Sequence, residues 1–470
     1  MKKKKLFTRV RPLRTGLENS TKDKAHDNHV KMTEGQVPFL ILSLSASTIF
    51  TMLIATTYNL VDTYFVSSLG KSQIGAVGVM FSAMALIQAV GYTFGMGAAS
   101  LISRYLGKEK RENAEQTLAC AFAAALVTGT IIGIFGLIYI KPLIGILGAT
   151  DTIKEYAYSY GAFVIAGTPV MCGAYVLNNS LRAEGKPYLA LLGIFAGGAL
   201  NALLDFILIK VFNIGIMGAG IATLAGQSLS LIIMIICFRT HKSVVKLKLW
   251  GFRPDLKVIF GVIRTGIPSF WRQGLMCLAG VFLNRSCRMY GDDVVAAMSI
   301  ANKIFAVIFA ILVGYGQGFA PVAGYNYGAK LYGRVRTAVK TSVITATIAM
   351  LIIGTAIYYL SPSLIGLFTD DAQVSSVSIL ALKAHAISLP FMPVCIMVGM
   401  LYQAVGRIGK AAFISSLRQG IFFLPLIYIL PAIYHATGIA ITQAAADILA
   451  GLTALATFAT GIRHGDRSRG

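Results

Sequence analysis

Residues 70–107 read GKSQIGAVGVMFSAMALIQAVGYTFGMGAASLISRYLG, and residues 291–328 read GDDVVAAMSIANKIFAVIFAILVGYGQGFAPVAGYNYG. Each stretch holds a continuous apolar run long enough to cross the hydrocarbon of a bilayer as a helix. At an offset of 221 residues, Gly70, Gly95, Gly97 and Gly107 recur as Gly291, Gly316, Gly318 and Gly328, and Ala76 recurs as Ala297. The register continues without a gap through Pro169 and Pro390, Ala183 and Ala404, and Gly185 and Gly406. A chain of spanning segments that repeats itself is expected.

The rest of the 470 residues agrees. The composition is 56% apolar and 13% charged with a mean hydropathy of +0.70, which excludes a soluble enzyme and a disordered chain. Twelve apolar segments lie near 37–69, 75–103, 117–140, 156–181, 188–212, 215–238, 258–284, 294–324, 341–362, 374–402, 411–434 and 437–461. They are too long and too continuous for transmembrane strands. The expected fold is an all-α polytopic membrane protein. Its twelve transmembrane helices form two six-helix bundles related by a pseudo-twofold axis along the membrane normal. Residues 1–36 are read as a basic cytosolic tail, 37–238 as the N-lobe, 239–257 as a cytosolic linker, 258–461 as the C-lobe and 462–470 as a cytosolic C-terminus. A unit of six spans is even, so both copies enter from one side and face each other across a midplane cavity, as in a transporter.

The net charge of +23 is not a nucleic-acid footprint, because the basic residues form no single patch. Of 42 Lys and Arg, 33 lie in the two ends of the chain and in the regions near 104–111, 182–186, 239–264, 330–340 and 407–418. Those regions are expected to face the cytoplasm, and with them both termini, in the cell membrane. Arg272, Lys303 and Lys383 fall inside or at the ends of spans. The tail has no apolar run fit for a signal peptide. It could touch anionic headgroups, but it reads as solvated and dispensable up to Met32. Six scattered cysteines suggest neither a metal site nor a disulfide framework.

An ionisable group in hydrocarbon is costly unless it faces a cavity or a partner, so intramembrane acids mark candidate function. Asp62 lies in NLVDTYFV near the end of span 1, Asp205 in NALLDFIL near the end of span 5, and Asp447 in QAAADILAG within span 12. Asn201 precedes Asp205 by one helical turn and shares its face, and Thr223 lies early in span 6. Asp62, Asp205 and Thr223 sit at one depth, so four oxygen-bearing side chains can meet. Two close carboxylates cannot easily both stay ionised and take up a proton readily. A small hard cation held by carboxylate, amide and hydroxyl oxygens is equally suited. Na+ and H+ stay open here, as does a purely structural role in which both acids bond neighbouring helices. The second half does not repeat the cluster.

The runs NLVDTYFVSSLG, GMGAASLISRYLGKEKRENAEQ, LRAEGKP, NALLD and GQGFAPVAGYNYGAKLYGRVRTA resemble the multidrug and toxic compound extrusion (MATE) family of cation-coupled antiporters. The resemblance covers essentially everything after Met32. It implies a non-enzymatic exporter of drugs or toxic organic compounds, often cations, driven by inward Na+ or H+ through alternating access, with no cofactor beyond the coupling ion. The family's N-lobe cation site matches Asp62, Asn201, Asp205 and Thr223, with no other metal implied. Tyr58, Asn59, Gln88, Tyr92 and Met96 stand beside the acids as cavity-lining candidates or ordinary packing residues. There are two departures. Span 7 reads GIPSFWRQGL, with Arg272 and Gln273 where some relatives place a coupling glutamate, and span 1 lacks a central proline. Arg272, Arg418 and Asp447 of the C-lobe are expected to form a structural ion pair in preference to a substrate site. His385 and Lys383 are expected near an interface. The expected partners are a small drug-like substrate and the lipid bilayer, not nucleic acid, and the chain is expected to act as a monomer. A flippase for a lipid-linked precursor is the main alternative and calls for more cationic residues in the cavity. A receptor without a sizeable extramembrane domain and a major-facilitator transporter fit less well, the latter because SRYLGKEKREN lacks its loop signature.

Overall fold

The computed structural model describes residues 26–240, 243–248 and 254–467, and these residues are helical with no strand among them. A short helix α1 (26–34) leads into α2 (Val37–Ser67), α3 (Lys71–Gly107), α4 (Arg111–Ile138) and the short α5 (Ile140–Ile146). Next come α6 (Asp151–Ala166), α7 (Thr168–Ala183), α8 (Pro187–Asp205) and α9 (Ile216–Arg239). The second half holds α10 (Leu256–Arg288), α11 (Asp292–Gly328), α12 (Tyr332–Gly366), α13 (Ala372–Ser388), α14 (Met392–Ala404), α15 (Ile408–Ser416) and α16 (Phe423–Arg467). Prolines open α2, α7, α8 and α14, where the missing N–H leaves no bond unmade.

Nine of these helical runs are each long and apolar enough to cross a membrane, and α6 with α7, bent by 47° at Gly167, makes a tenth. The eleventh is α10, 33 residues long but less apolar because it carries Arg264, Arg272, Arg285 and Arg288. The twelfth arises where the run through residues 408–459 divides at His435, whose φ of 51° and ψ of −133° cannot belong to a helix. Large side chains such as Phe39, Phe50, Phe81, Phe195, Ile352 and Tyr428 stand more than half exposed on the flank, a surface suited to lipid. The span count therefore holds, while α2 is unbroken with Pro38 confined to its first turn.

The duplication is written in the backbone. Helices α3 and α11 are both 37 residues long, and the left-handed residues Gly70, Glu109 and Gly185 recur as Gly291, Lys330 and Gly406. Contacts between the lobes repeat in the same way. A side chain at Gly107 would strike the carbonyl of Tyr325, and one at Gly328 would strike the carbonyl of Arg104. Since 104 and 325 are also 221 apart, these are one contact and its twofold mate. Similar glycine approaches join Gly266 to Thr93, Gly97 to Val262 and Gly314 to Ile49. All lie toward the end of the bundle that carries the chain's first helix, hereafter the tail side. Farther along α10, Gly274 and Gly280 meet nothing.

The tail side is also where the basic loops converge. Asn28 donates to the Glu184 backbone carbonyl at 2.9 Å, and His29 lies 3.3 Å from Glu109. From the other lobe, Asn326 donates to the Met32 carbonyl at 3.1 Å and Arg334 to the Gly35 carbonyl at 2.5 Å. Residues 26–34 are thus a helix lodged between the lobes, with Asn28 and Met32 buried. This corrects the expectation that everything before Met32 is solvated and dispensable, since removing it would discard contacts that Asn28 and His29 make. Residues 1–25 lie outside the described structure.

The linker is pinned as well. Ser243 Oγ and the Val244 N–H donate to the Glu184 carboxylate at 2.6 and 2.7 Å, and Lys248 Nζ lies 2.7 Å from Glu115, itself 3.1 Å from Arg111. Glu184 sits in a loop between spans. Burial raises its carboxyl from 4.5 to about 7, against the opposing pull of the Ser243 and Val244 bonds and of Lys186. A carboxyl raised on docking favours the docked state most below the ordinary value, and the advantage disappears as pH rises through about 7. Amide exchange at residues 243–248, corrected for intrinsic rates, is therefore expected to be slower at pH 6 than at pH 8. Glu184→Gln should remove that difference, and a difference that persists in the variant would assign it to another group.

Candidate functional site

Four helices meet around the N-lobe acids. Helices α8 and α9 touch backbone to backbone, because a side chain at Gly197 would fall 2.5 Å from the Gly226 carbonyl and one at Gly226 would fall 2.6 Å from the Gly197 carbonyl. That approach brings Asn201 and Thr223 together. Helix α2 packs Tyr58 beside Gly198 and carries Asp62 one turn farther on. Asp62, Asn201, Asp205 and Thr223 are all buried, Asp205 completely, and the two carboxyl groups lie within electrostatic reach of each other. Directly after Asp205 the helix widens into a π-helical turn, Phe206–Val211, a feature frequent at functional sites.

The polar atoms here are not satisfied by the protein. One oxygen of Asp62, both carboxylate oxygens of Asp205 and both amide atoms of Asn201 are buried without a hydrogen-bond partner among the described residues. Burying an anion this way is costly, and a proton or a small cation with oxygen ligands would relieve that cost. Tyr160 on α6 belongs to the same group: fully buried, its hydroxyl donates to Met84 Sδ at 4.0 Å and lies within electrostatic reach of both acids.

Asn201 and Thr223 also line a cavity of about 130 Å³ in the N-lobe. Its other walls come from α2 (Met52, Ala55, Tyr58), from Tyr92 of α3, and from Tyr175, Asn178, Asn179 and Arg182 of α7. The Tyr92 and Tyr175 rings pack at 4.5 Å between centres, tilted by 45°. Glycines 91 and 95 of α3 let the Tyr175 ring and the Asn179 amide lie flush against that helix. The polar cluster therefore shares a wall with an aromatic, mostly apolar cavity.

The MatE family model matches residues 47–207 and again 268–429, one match per lobe at the same offset. The chain belongs to the MatE family. It is 25% identical to the multidrug export protein MepA of Staphylococcus aureus over 404 residues, 86% of this chain and 89% of MepA. An outward-facing multidrug resistance MATE family transporter of the MOP superfamily superposes with a TM-score of 0.88 at 26% identity, covering 93% of this chain and 98% of that one. A MOP superfamily transporter from Pyrococcus furiosus gives 0.87 at 26%, covering 92% and 98%.

The MATE structure sorts the remaining candidates. Tyr58 and Tyr92 line the cavity, Met96 lines a smaller pocket beneath it, and Gln88 is half-buried on α3 outside both; the side chain of Asn59 lies outside the described residues. In the C-lobe, Arg418 Nε meets Asp447 Oδ1 at 2.5 Å, and Gln443 donates to the same oxygen at 2.9 Å. The Arg418 guanidinium lies 4.4 Å above the Phe309 ring, within a second π-helical turn, Leu417–Phe422. Arg272 lines a pocket with Arg418 and forms no ion pair among the described residues. The interface expected for His385 is corrected. It is 1% exposed and set edge-on against Phe305 at 4.4 Å, because its helix presents that face to α11; only Lys383 lies outward, over the Tyr358 ring.

Two site residues escape the sequence reading. Tyr160 sits in YAYSYGAF, where nothing in the local pattern separates it from Tyr156 and Tyr158. Arg182 reads as one more basic residue of a loop, yet it is the second-last residue of α7 and points inward, 4% exposed. Its exposure could have been doubted from the sequence, since Asn178, Asn179 and Ser180 extend the polar face of span 4 just before it.

Proposed function

We propose that this transporter is a secondary antiporter that exports drug-like organic compounds in exchange for inward Na+ or H+. The cation is taken up at Asp62, Asn201, Asp205 and Thr223. The observation that carries this reading is the set of unbonded buried oxygens at and behind the Asn201 wall of the aromatic cavity. A cation entering the cluster alters the packing of α2, α8 and α9, which are the same helices that shape the substrate space. Two ligands that favour different arrangements of those helices are coupled without touching. Substrate leaves when the cation binds from outside, and the cation then departs on the inner side. The tail and the basic loops are assigned to the cytoplasm of a cell membrane, in keeping with the positive-inside bias, so the close contacts on the tail side seal the inner face. A flippase reading is less favoured, because pyrophosphate recognition calls for several cationic groups and this cavity offers Arg182 alone.

Uptake of a cationic dye into inverted vesicles, with the membrane potential clamped, tests the proposal. An outwardly imposed Na+ or H+ gradient should drive dye accumulation, and the gradient that does so identifies the ion. Accumulation indifferent to both gradients would reject coupled antiport.

A further inference from the structure

The N-lobe cavity has a positive end as well as one backed by the acids. Arg182 donates through one amino group to Gln317 of the opposite lobe, while its Nε and second amino group are buried with no partner among the described residues. No carboxylate among those residues pairs with it. A buried guanidinium left half-bonded is costly unless an anion completes it. Its planar fork matches a carboxylate through two parallel N–H bonds, which a point charge such as lysine cannot reproduce.

Arg182 lies at the tail-side end of α7, whereas Thr223 lies seven residues inside the far end of α9. The α9 wall of the cavity runs from Thr223 to Met234, about 16 Å at the helical rise. Tyr58, Tyr92 and Tyr175 stand between the two ends. An end wall of Asn201 and Thr223 backed by two acids, an aromatic waist and, at the other end, an unpaired guanidinium are complementary to a molecule with the opposite order of groups.

We propose that the cavity prefers amphipathic aromatic zwitterions over simple cations, with Arg182 holding the substrate's carboxylate. The inference rests on the export reading and names its substrate class. The amine end faces the wall of Asn201 and Thr223, backed by Asp62 and Asp205, and the ring system lies among the tyrosines. Arg182 is thereby a specificity residue.

Tetramethylrhodamine and its methyl ester test this, since they share one ring system and differ in a free carboxylate. Fluorescence anisotropy with the full-length detergent-solubilised protein should show the zwitterion binding about tenfold or more tighter than the ester, as expected for a charge-assisted pair. Arg182→Gln should weaken the zwitterion alone and bring the two dyes within about twofold. Arg182→Lys should restore part of the preference, and Gln317→Ala should keep it, because the charge remains. Retained ester binding by Arg182→Gln shows that the variant is folded. Equal binding of both dyes by the wild type, binding of neither, or equal weakening of both by Arg182→Gln would overturn the proposal. Binding needs no gradient, so this result is separate from the vesicle experiment, whose failure would reject coupling alone.

Discussion

Asp62→Asn and Asp205→Asn are each expected to abolish gradient-driven export while the amount of protein in the membrane stays unchanged. The carboxamide keeps the shape of the side chain and removes the charge. Because one Asp62 oxygen and both Asp205 oxygens bond nothing among the described residues, the exchange breaks few contacts within the protein. What is lost is the attraction for a proton or Na+. Asn201→Ala and Thr223→Ala remove neutral ligands, each contributing about 1–2 kcal/mol. They should raise the cation concentration for half-maximal export about 5- to 30-fold without eliminating transport. Tyr160→Phe, which removes a buried hydroxyl within electrostatic reach of both acids, should act in the same direction. The measurement is initial dye uptake by inverted vesicles against cation concentration, normalised to transporter content. Normal coupled export by both acid variants would move the coupling site elsewhere.

Asp447→Ala is expected to act differently, on stability, and to cost about 3–5 kcal/mol. Its carboxylate is completely buried and holds Arg418, which is 10% exposed, together with Gln443. Removing the acid leaves a guanidinium in a low-dielectric interior with only the Phe309 and Phe305 faces against it. The protein should be scarce in the membrane and lose ligand-free thermal stability in detergent. The double variant Arg418→Met with Asp447→Leu removes both charges and should recover most of that loss, since well-packed apolar replacements of buried pairs are often neutral. If the double variant is stable and still exports, the C-lobe pair is structural. If it is stable and uncoupled, the C-lobe carries part of the mechanism and the N-lobe account is incomplete.

The duplication was legible because glycines at backbone crossings tolerate no substitute. Gly107 and Gly328 touch each other's lobe at symmetry-related carbonyls, so both copies retain them. Asp62, Asn201 and Asp205 were legible for a different reason, because a polar side chain within an apolar span stands out by cost alone. His385 was misplaced by the same logic. Its neighbour Lys383 suggested an interface, but two residues turn a helix through about 200°, and the two side chains point to opposite sides. The helix at 26–34 was hidden because its sequence is polar; its order comes from hydrogen bonds to Glu184 and Asn326, residues far along the chain, with Arg334 holding Gly35 just after it.

Spans, their number, the twofold relation of the lobes and the acids of the first lobe all follow from local chemistry: the length of apolar runs, the spacing of glycines and the expense of charge in hydrocarbon. The order in which side chains meet across helices does not. Tyr160 joining the acid cluster, Arg182 turning into the cavity and Arg418 closing on Asp447 each depend on rotations of helices set by packing against partners distant in sequence. A helix shows its apolar face in its own residues, but which polar residue it aims at a neighbour is decided only when that neighbour is in place.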